Sequence, residues 1–428
     1  MIDWVPGELL RLALPAHSAA LAAGGEAFLT AAFRATGVLA TDNRVARITQ
    51  FQECSGGSTG TKLLLAVEYA RPSPELEEKL FVKFSRDFAD ELRDRGRFQM
   101  EREVHFALLS RHPNFPIAVP TCYYADFNQE SGTGLLITRR VPFGCAGIEP
   151  LYPKCLDHEM PDPLLHYRAI LGALGRLAGT HRAGLLPATV EQDFPFDADR
   201  LMVSKRQPYS PEQIRRRVSR YAEFAAGFPG LLPANIRSPA FLARLQEEAP
   251  RFMALAPVVE DVLRGDPALI ALCHWNANVD NAWFWRDAGG DLTCGLLDWG
   301  HVSQMNVAMA LWGCLSGAET ELWNRHLDDL LQHFAAQFRN CGSGVALDIA
   351  GLKQHLQLYV AMMGLAWMLD TPALLRGRVT GLDSVKDRHD KRIRDDELAR
   401  SSLQMMINCL NLWETRGMGE LMDLLEGS

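Results

Sequence analysis

The sequence predicts an α+β protein with two lobes: an N-terminal lobe built on an antiparallel sheet, and a larger, mainly helical C-terminal lobe. Before residue 140, the segments VARITQF, TKLLLAVEYA and EKLFVKFS are rich in branched and apolar residues and are separated by polar turns, which is typical of strands. After Pro150, apolar residues recur mostly at helical spacing. A chain of 428 residues is also too long for one small core. We therefore predict an N-terminal lobe over residues 1–140 and a C-terminal lobe over residues 141–428.

The N-terminal lobe is expected to open with one or two helices over residues 24–39. The strand-like segments then fall within residues 44–84, and they are followed by a helix over 98–109 and by two more strands over 122–127 and 134–140. The prediction is a sheet of about five strands with one internal helix.

The C-terminal lobe is expected to start with a long helix, because apolar residues from Leu164 to Ala178 share one face with His181. A histidine at the end of such a stripe is more often bonded to backbone than bound to a ligand, and we expect that here. Further helices are predicted over residues 211–226, 241–248, 305–316, 319–338, 352–369 and 396–413.

The overall composition narrows the class of protein. The net charge is −8 and the pI is about 5.9, so the balance of charge offers nothing that would attract nucleic acid or an anionic membrane. The apolar stretches are interrupted too early to span a bilayer, and the first residues do not resemble a signal peptide. Nine cysteines without a CxxC pair favour reduced thiols. We expect a cytoplasmic protein without membrane insertion.

A predicted hairpin carries the first candidate site. Residues 282–285 form its first strand, residues 288–291 its turn and residues 292–297 its second strand. Asn281 therefore lies at one mouth of the hairpin and Asp298 at the other. Two oxygen ligands on a rigid hairpin suit a magnesium ion that also holds a nucleotide's phosphates, although an ordinary hairpin with polar ends would have the same sequence.

The predicted sheet carries the second candidate site, in a loop between its first two strands. The loop is rich in glycine and hydroxyl groups, which let backbone N–H groups approach a phosphate. Its residues are Ser55, Gly56, Gly57, Ser58, Thr59 and Gly60. Lys83 follows an apolar run on the third strand, where it is either a surface lysine or a buried cation with a partner. Helical spacing makes Glu103 the candidate partner, with Glu101 as the alternative.

In this order, the features resemble a protein-kinase-like fold. In detail they are similar to the aminoglycoside phosphotransferase/choline kinase superfamily and, within it, to the ecdysteroid-kinase-like group of small-molecule kinases. The resemblance covers most of the chain. The segments that carry it, besides the hairpin, are FRATGVL, SGGSTG, EVHF, VPTCYYADF, GLLI and LGRLAGTHRAG.

The resemblance implies ATP and Mg2+ as cofactors. The backbone of residues 56–61 would cover the ATP phosphates, and Lys83 would contact the inner phosphates while Glu103 orients it. The segment from Leu136 to Arg139, with Leu136 and Thr138, would be the hinge that holds adenine. Asn281 and Asp298 would hold the magnesium ion. These roles suit phosphoryl transfer, in which catalysis is mostly positioning and neutralisation of charge.

One departure from the family pattern affects the chemistry. The family's loop usually has His-Gly-Asp, then four residues, then Asn, whereas this chain has His274-Trp275-Asn276 and, at the kept spacing, Asn281. An amide can accept a hydrogen bond but cannot take a proton at neutral pH. An aspartate that ties down the loop in the family is also replaced, within residues 306–310.

Three hypotheses follow for the catalytic residues His274, Asn276 and Asp280. In the first, the chain is a phosphotransferase that acts on a hydroxyl group of a small molecule; Asn276 orients the hydroxyl, and Asp280 or water takes the proton late in a loose transition state. In the second, it is a nucleotide-binding pseudokinase. In the third, the metal site supports a different ATP-dependent transfer.

The sequence does not identify the acceptor. Apolar and aromatic residues in the loop and the helical lobe would suit a large apolar alcohol, although core packing is the more common role of such residues. They are Trp275, Trp312, Tyr359, Met362, Met363 and Trp367.

Overall fold

The computed structural model describes residues 2–54, 60–197 and 209–427, apart from the side chains of Arg95 and Ser343. Backbone contacts divide the chain into two compact units. The first unit contains Met1–Pro150 and two later segments, Gly184–Pro195 and Gly295–Ser303. The second contains Leu151–Ala183, Phe196–Cys294 and Gln304–Ser428.

A five-stranded antiparallel sheet with strand order β3-β4-β5-β7-β6 forms the centre of the first unit. Its strands are β3 (Val45–Cys54), β4 (Lys62–Tyr69), β5 (Lys79–Phe84), β6 (Cys122–Asn128) and β7 (Thr133–Arg139). A small hairpin of β1 (Trp4–Pro6) and β2 (Ala13–Pro15) comes before it. The helices of this unit are α1 (Ser18–Ala35), α2 (Arg93–Leu109) and the single turn Val190–Asp193.

The two faces of this sheet have different surroundings. Alternate residues of β5, Leu80, Val82 and Phe84, are buried in an apolar core that the sheet forms with α1. Because successive side chains of a strand point to opposite faces, Phe81 and Lys83 lie on the other face. Helix α2 covers only part of that second face, so some of its side chains stay half-exposed.

The second unit is mainly helical. Its helices are α3 (Pro163–Arg182), α4 (Pro211–Gly227), α5 (Pro239–Ala254), α6 (Ala256–Gly265), α7 (Val307–Leu315), α8 (Thr320–Phe338), α9 (Ile349–Ala366), α10 (Thr371–Arg378), α11 (Glu397–Thr415) and α12 (Met418–Glu426), with a further single turn at Lys391–Arg394. The strand β8 (Ile270–His274) pairs with β11 (Val302–Asn306), and β9 (Ala282–Arg286) with β10 (Leu292–Leu296).

The predicted fold class is confirmed: an antiparallel sheet comes first and a helical part follows. Two local predictions were wrong. The helix predicted from residue 305 begins at Val307, because residues 302–306 form β11 and the Oδ1 of Asn306 caps the helix by accepting from the N–H of Ala308 (3.0 Å). Helix α1 begins at Ser18 and continues past Gly25, which kinks it with φ +48°.

One stretch of the second unit, Ile349–Arg378, is long and apolar enough to cross a membrane by length and composition alone. It contains α9 and α10, and 72% of its most apolar window is buried inside the structure. Such burial is typical of a core helix.

Candidate functional site

The candidate site of the first unit is centred on Lys83, near the end of β5. Its side chain is almost fully buried, and its Nζ lies 2.5 Å from Oε2 of Glu103 and 2.9 Å from Oδ1 of Asp298. Glu103, and not Glu101, is therefore the partner of this lysine. The contact with Asp298 was not part of the sequence prediction, which assigned that residue to a metal.

The charges of this cluster keep Lys83 protonated. Burial alone would lower the pKa of Lys83, but the charges of Asp298 and Glu103 outweigh it and raise that pKa above its ordinary value. Burial raises the pKa of Glu103, and the charge of Lys83 opposes this rise. A fixed ammonium group at this point can neutralise an anion without first acquiring a proton.

Asp298 combines strain with exposure. It has a left-handed backbone (φ 61°, ψ 68°), which is rare for a residue with a side chain, and its side chain is 40% exposed although Lys83 is buried. Strained backbone persists where the surroundings determine it, and such residues are frequent at functional sites. Part of this carboxylate is exposed to solvent while its Oδ1 contacts Lys83.

The packing of Trp299 holds Asp298 in position. The Trp299 ring stacks on Phe106 of α2, with centroids 3.7 Å apart and planes 15° apart. Its Nε1 donates to the carbonyl of Leu296 (3.1 Å), and His301 lies 3.1 Å from Gln99 of α2. The segment that carries Asp298 is thus packed on the helix that carries Glu103, so both carboxylates are fixed relative to Lys83.

The predicted phosphate loop lies mostly outside the described residues, which exclude Ser55, Gly56, Gly57, Ser58 and Thr59. Its last residue, Gly60, has φ +143°, and a Cβ there would lie 2.0 Å from the carbonyl oxygen of Phe84. Only glycine fits this position, so the chain must leave the loop at this point close to the end of β5.

The two predicted hinge residues share the face of Lys83. In the register of β5 and β7, Leu136 lies opposite Lys83, and Thr138 lies opposite Phe81. Leu136 is buried against α2. Beside them, Leu64, Ala66 and Phe81 are half-exposed. An apolar surface of this kind, next to a fixed cation, suits a flat base joined to phosphates.

The loop that precedes β9 in the second unit is held by its own polar groups. His274 is fully buried, and its Nδ1 accepts from the N–H of Asn276 (3.1 Å). The Oδ1 of Asn276 accepts from Nδ2 of Asn278 (3.0 Å), and the backbone carbonyl of Asn276 accepts from Nδ2 of Asn281 (2.8 Å). The structure thus brings His274, Asn276 and Asn281 together in one bonded loop.

Helix α7 anchors this loop through two contacts. Asn278 donates through Nδ2 to the carbonyl of Gly313 (2.7 Å), and a Cβ on Gly313 would lie 1.5 Å from the carbonyl oxygen of Trp275. Backbone therefore touches backbone, which only a glycine permits. In the sequence, Gly313 is an ordinary small residue within a predicted helix, and no local pattern marks its contact with the loop.

The remaining predicted residues of the second unit have separate environments. Asp280 is partly exposed, and its Oδ2 lies 3.6 Å from Nζ of Lys154, a residue that the sequence reasoning did not select. Trp275 is half-buried and donates through Nε1 to the hydroxyl of Tyr359 (2.8 Å). Of the apolar candidates for an acceptor site, four are core residues: Trp312, Tyr359, Met362 and Met363. Trp367 is exposed, and His181 accepts from the backbone N–H of Leu272, as expected for a structural histidine.

Comparison with known proteins found solved structures that are similar to this chain at low identity and low TM-score. No protein-family model and no curated protein matches it. A choline/ethanolamine kinase family protein from Mesorhizobium loti is 14% identical, over 88% of this chain and 92% of that one, with a TM-score of 0.42. A choline kinase from Cryptosporidium parvum is 12% identical, over 88% and 93%, with a TM-score of 0.42. A spectinomycin phosphotransferase in complex with ADP and spectinomycin is 14% identical, over 86% and 94%, with a TM-score of 0.40.

Proposed function

We propose that this chain binds a nucleoside triphosphate with a divalent cation and transfers a phosphoryl group to a hydroxyl of a small molecule. The observation that carries the proposal is the buried Lys83, held by Glu103 and by the strained, part-exposed Asp298 on a half-exposed sheet face. A fixed ammonium and a carboxylate next to an apolar surface are what phosphates, a metal ion and a base require.

Each of the two side chains that the sequence resemblance selects as a metal ligand carries an oxygen of the kind that magnesium prefers. Asp298 supplies a carboxylate oxygen, and the hydrogen bond from Nδ2 of Asn281 to the loop backbone leaves its Oδ1 as the atom that would bind a cation. The sequence resemblance adds Asn281 to Asp298 as the second ligand. When bound, the metal neutralises charge on the phosphates; this chain's own residues supply the ammonium of Lys83 and keep its position fixed.

The nucleotide claim can be tested by thermal unfolding with Mg2+ and ADP. A ligand of the native state stabilises it by about 2.7 kcal/mol at a hundred times its Kd, which raises the unfolding midpoint by several degrees. We expect this rise for the parent and for Asp291→Asn, a control in the exposed turn of the hairpin, and a much smaller rise for Asp298→Asn. A parent that no nucleotide stabilises would refute the proposal.

A second candidate function, nucleotide binding without transfer, is favoured by the geometry of Asn276. Its Oδ1 accepts a hydrogen bond from Nδ2 of Asn278, and a neutral amide does not take a proton from an attacking hydroxyl. In a working phosphotransferase, Asp280 or water would have to take that proton.

The two candidates differ in one measurement. The parent and Asn276→Asp are each incubated with Mg2+ and ATP, with water alone and with a panel of small alcohols, and ADP, AMP and phosphorylated products are counted. ADP and product from the parent support a phosphotransferase. Product from the aspartate variant alone supports the binding protein, and AMP in place of ADP indicates a different ATP-dependent transfer.

The free thiols of all nine cysteines support a cytosolic setting for any of these activities.

A further inference from the structure

The row of side chains that contains Lys83 holds a second lysine. In the strand register, Lys62 of β4 lies directly opposite Lys83 of β5, and Cys54 of β3 lies opposite Lys62 on its other side. Directly opposed residues of antiparallel strands point to the same face, with Cβ atoms about 4.5–5.5 Å apart. Lys62 therefore shares the face of the candidate nucleotide site, at the point where the chain leaves the glycine-rich loop.

The charged surroundings of Lys62 differ from those of Lys83. Like charges directly opposite each other in a sheet are destabilising. The positive charge of Lys83 is compensated by the carboxylates of Glu103 and Asp298. Within the part of the chain that the structure describes, no residue forms an ion pair or a hydrogen bond with Lys62. Burial, and then the charge of Lys83, lower the pKa of Lys62, and the charges of Asp298 and Glu103 oppose this shift.

A lysine can also lie half-buried only because its apolar stem covers a surface while its ammonium reaches water. Lys79 is such a residue on the same face: it lies at the start of β5, opposite Ala66, and is exposed. Lys62 differs from Lys79 in two ways, because it is half-buried and because it faces another lysine. An anion between Lys62 and Lys83 would attract both ammonium groups and so offset the repulsion between them.

We propose that Lys62 is a second phosphate-binding cation, which contacts the nucleotide's phosphates together with Lys83. The inference rests on the proposed nucleotide binding and extends it, since it assigns a residue to phosphate recognition that the sequence comparison did not select. Lys62 adds affinity in proportion to phosphate charge, so its contribution is absent for a nucleoside and grows from the monophosphate to the diphosphate.

The test is a set of dissociation constants for adenosine, AMP, ADP and inorganic pyrophosphate, measured by calorimetry without divalent cations. The proteins are the parent, Lys62→Met, Lys62→Arg and the matched control Lys79→Met, which removes the same charge from an exposed position on the same face. A hydrogen bond to a charged group is worth enough to predict about tenfold weaker ADP binding for Lys62→Met. Adenosine binding should not change, AMP should change less than ADP, and Lys62→Arg and Lys79→Met should remain close to the parent.

The outcomes separate this inference from the proposed function. If the parent binds ADP and Lys62→Met binds it equally well, the role of Lys62 is refuted and nucleotide binding stands. If Lys62→Met weakens adenosine and ADP by the same factor, the lysine acts through packing, and the inference is again wrong. A parent that binds neither ADP nor pyrophosphate in the absence of divalent cations also refutes the role of Lys62, and nucleotide binding is then judged by the thermal unfolding with Mg2+ and ADP. The unfolding midpoint of unliganded Lys62→Met should equal or exceed that of the parent, because a like-charge pair is removed; a lower midpoint would show a structural role instead.

Discussion

The charged cluster of the first unit and the loop of the second unit hold their polar groups by different chemistry. In the cluster, Lys83 lies between the carboxylates of Glu103 and Asp298, and the bonds join charged groups. In the loop, Asn276 bonds Asn278 and Asn281 through neutral amides, and helix α7 holds the loop through a backbone carbonyl.

This difference separates binding from proton transfer. Fixed charges can neutralise phosphates, and they do so without changing their protonation state. Amides fix a geometry but do not exchange protons at neutral pH. The first unit therefore carries a fixed cation between two carboxylates, whereas the loop of the second unit carries neutral amides. Binding and catalysis are separate hypotheses for this chain and can fail separately.

Removing the cation of the cluster should have the largest effect on stability. Lys83→Met leaves the buried carboxylate of Glu103 without its partner, and breaking a buried pair in this way costs about 3–5 kcal/mol. Urea unfolding of the variant should show this loss. The double variant Lys83→Met/Glu103→Leu should recover much of it, because no buried charge is left alone. If the two substitutions simply add, the pair is not coupled as the distances indicate.

The second unit also buries a carboxylate, but with neutral donors. The Oδ2 of Asp157 accepts from the hydroxyl of Tyr167 (2.9 Å) and the N–H of Glu319 (3.1 Å), while Oδ1 has no hydrogen-bond partner among the described residues. Burial raises the pKa of Asp157 from 3.8 to about 7. A raised pKa in the folded state means that the stabilising contribution is complete below the unfolded value of 3.8 and is lost as the pH rises through about 7.

We therefore expect Asp157→Asn to flatten the pH dependence of stability. Between pH 4 and pH 8 the parent should lose about 4 kcal/mol more than the variant, from the shift of this one group. Other titrating groups cancel in the difference between the two proteins. Urea unfolding at pH 4, 6 and 8 measures this difference in the free energy of unfolding, and Asp291→Asn is the control at an exposed position. Parallel profiles for parent and Asp157→Asn would show that this carboxyl is ionised in the folded protein at all these pH values.

Helix α7 contacts the loop closely at Gly313, and this contact requires a residue without a side chain. A Cβ at this position would lie 1.5 Å from the carbonyl oxygen of Trp275, so Gly313→Ala must displace backbone and should cost about 1–3 kcal/mol. Gly377 of α10 is the matched control, because nothing lies within 4 Å of a Cβ there. Gly377→Ala should stabilise by about 0.4–1 kcal/mol through the unfolded state. Equal effects at both glycines would mean that the loop does not need this contact.

Much of the fold could be predicted because it depends on local periodicity. The alternating pattern of β3, β4 and β5 and the helical spacing of α3 follow from which face is buried. The strands β1, β2, β8 and β11 were missed, because runs of three to five residues carry no distinct period. Because every residue of β8 is buried, its sequence lacks the alternation of apolar and polar residues that would distinguish it from a short stretch of buried helix.

The candidate site was predictable where the partners lie on elements with a clear pattern. Helical spacing placed Glu103 on the inner face of α2, and the contact with Lys83 followed. The contact between Lys83 and Asp298 depends on Trp299 packing against Phe106, which are distant in sequence, and no local pattern encodes it. Gly313 is similar: its role depends on the carbonyl of Trp275, which the sequence of α7 does not contain.

The smallest expected effect comes from the side chain beside Asn276. The Nε1 of Trp275 donates to the hydroxyl of Tyr359 (2.8 Å), which fixes the indole by a neutral hydrogen bond. Trp275→Phe removes the donor and Tyr359→Phe removes the acceptor, and each should cost about 1 kcal/mol. Because both changes remove the same bond, the double variant should cost less than the sum of the two. An interaction energy of about 1 kcal/mol between the two substitutions would show that this neutral hydrogen bond stabilises the loop, whereas charged groups stabilise the cluster around Lys83. Purely additive effects would mean that the bond does not stabilise the folded protein, and the loop would then depend on Gly313 and Asn278 alone for its position on α7.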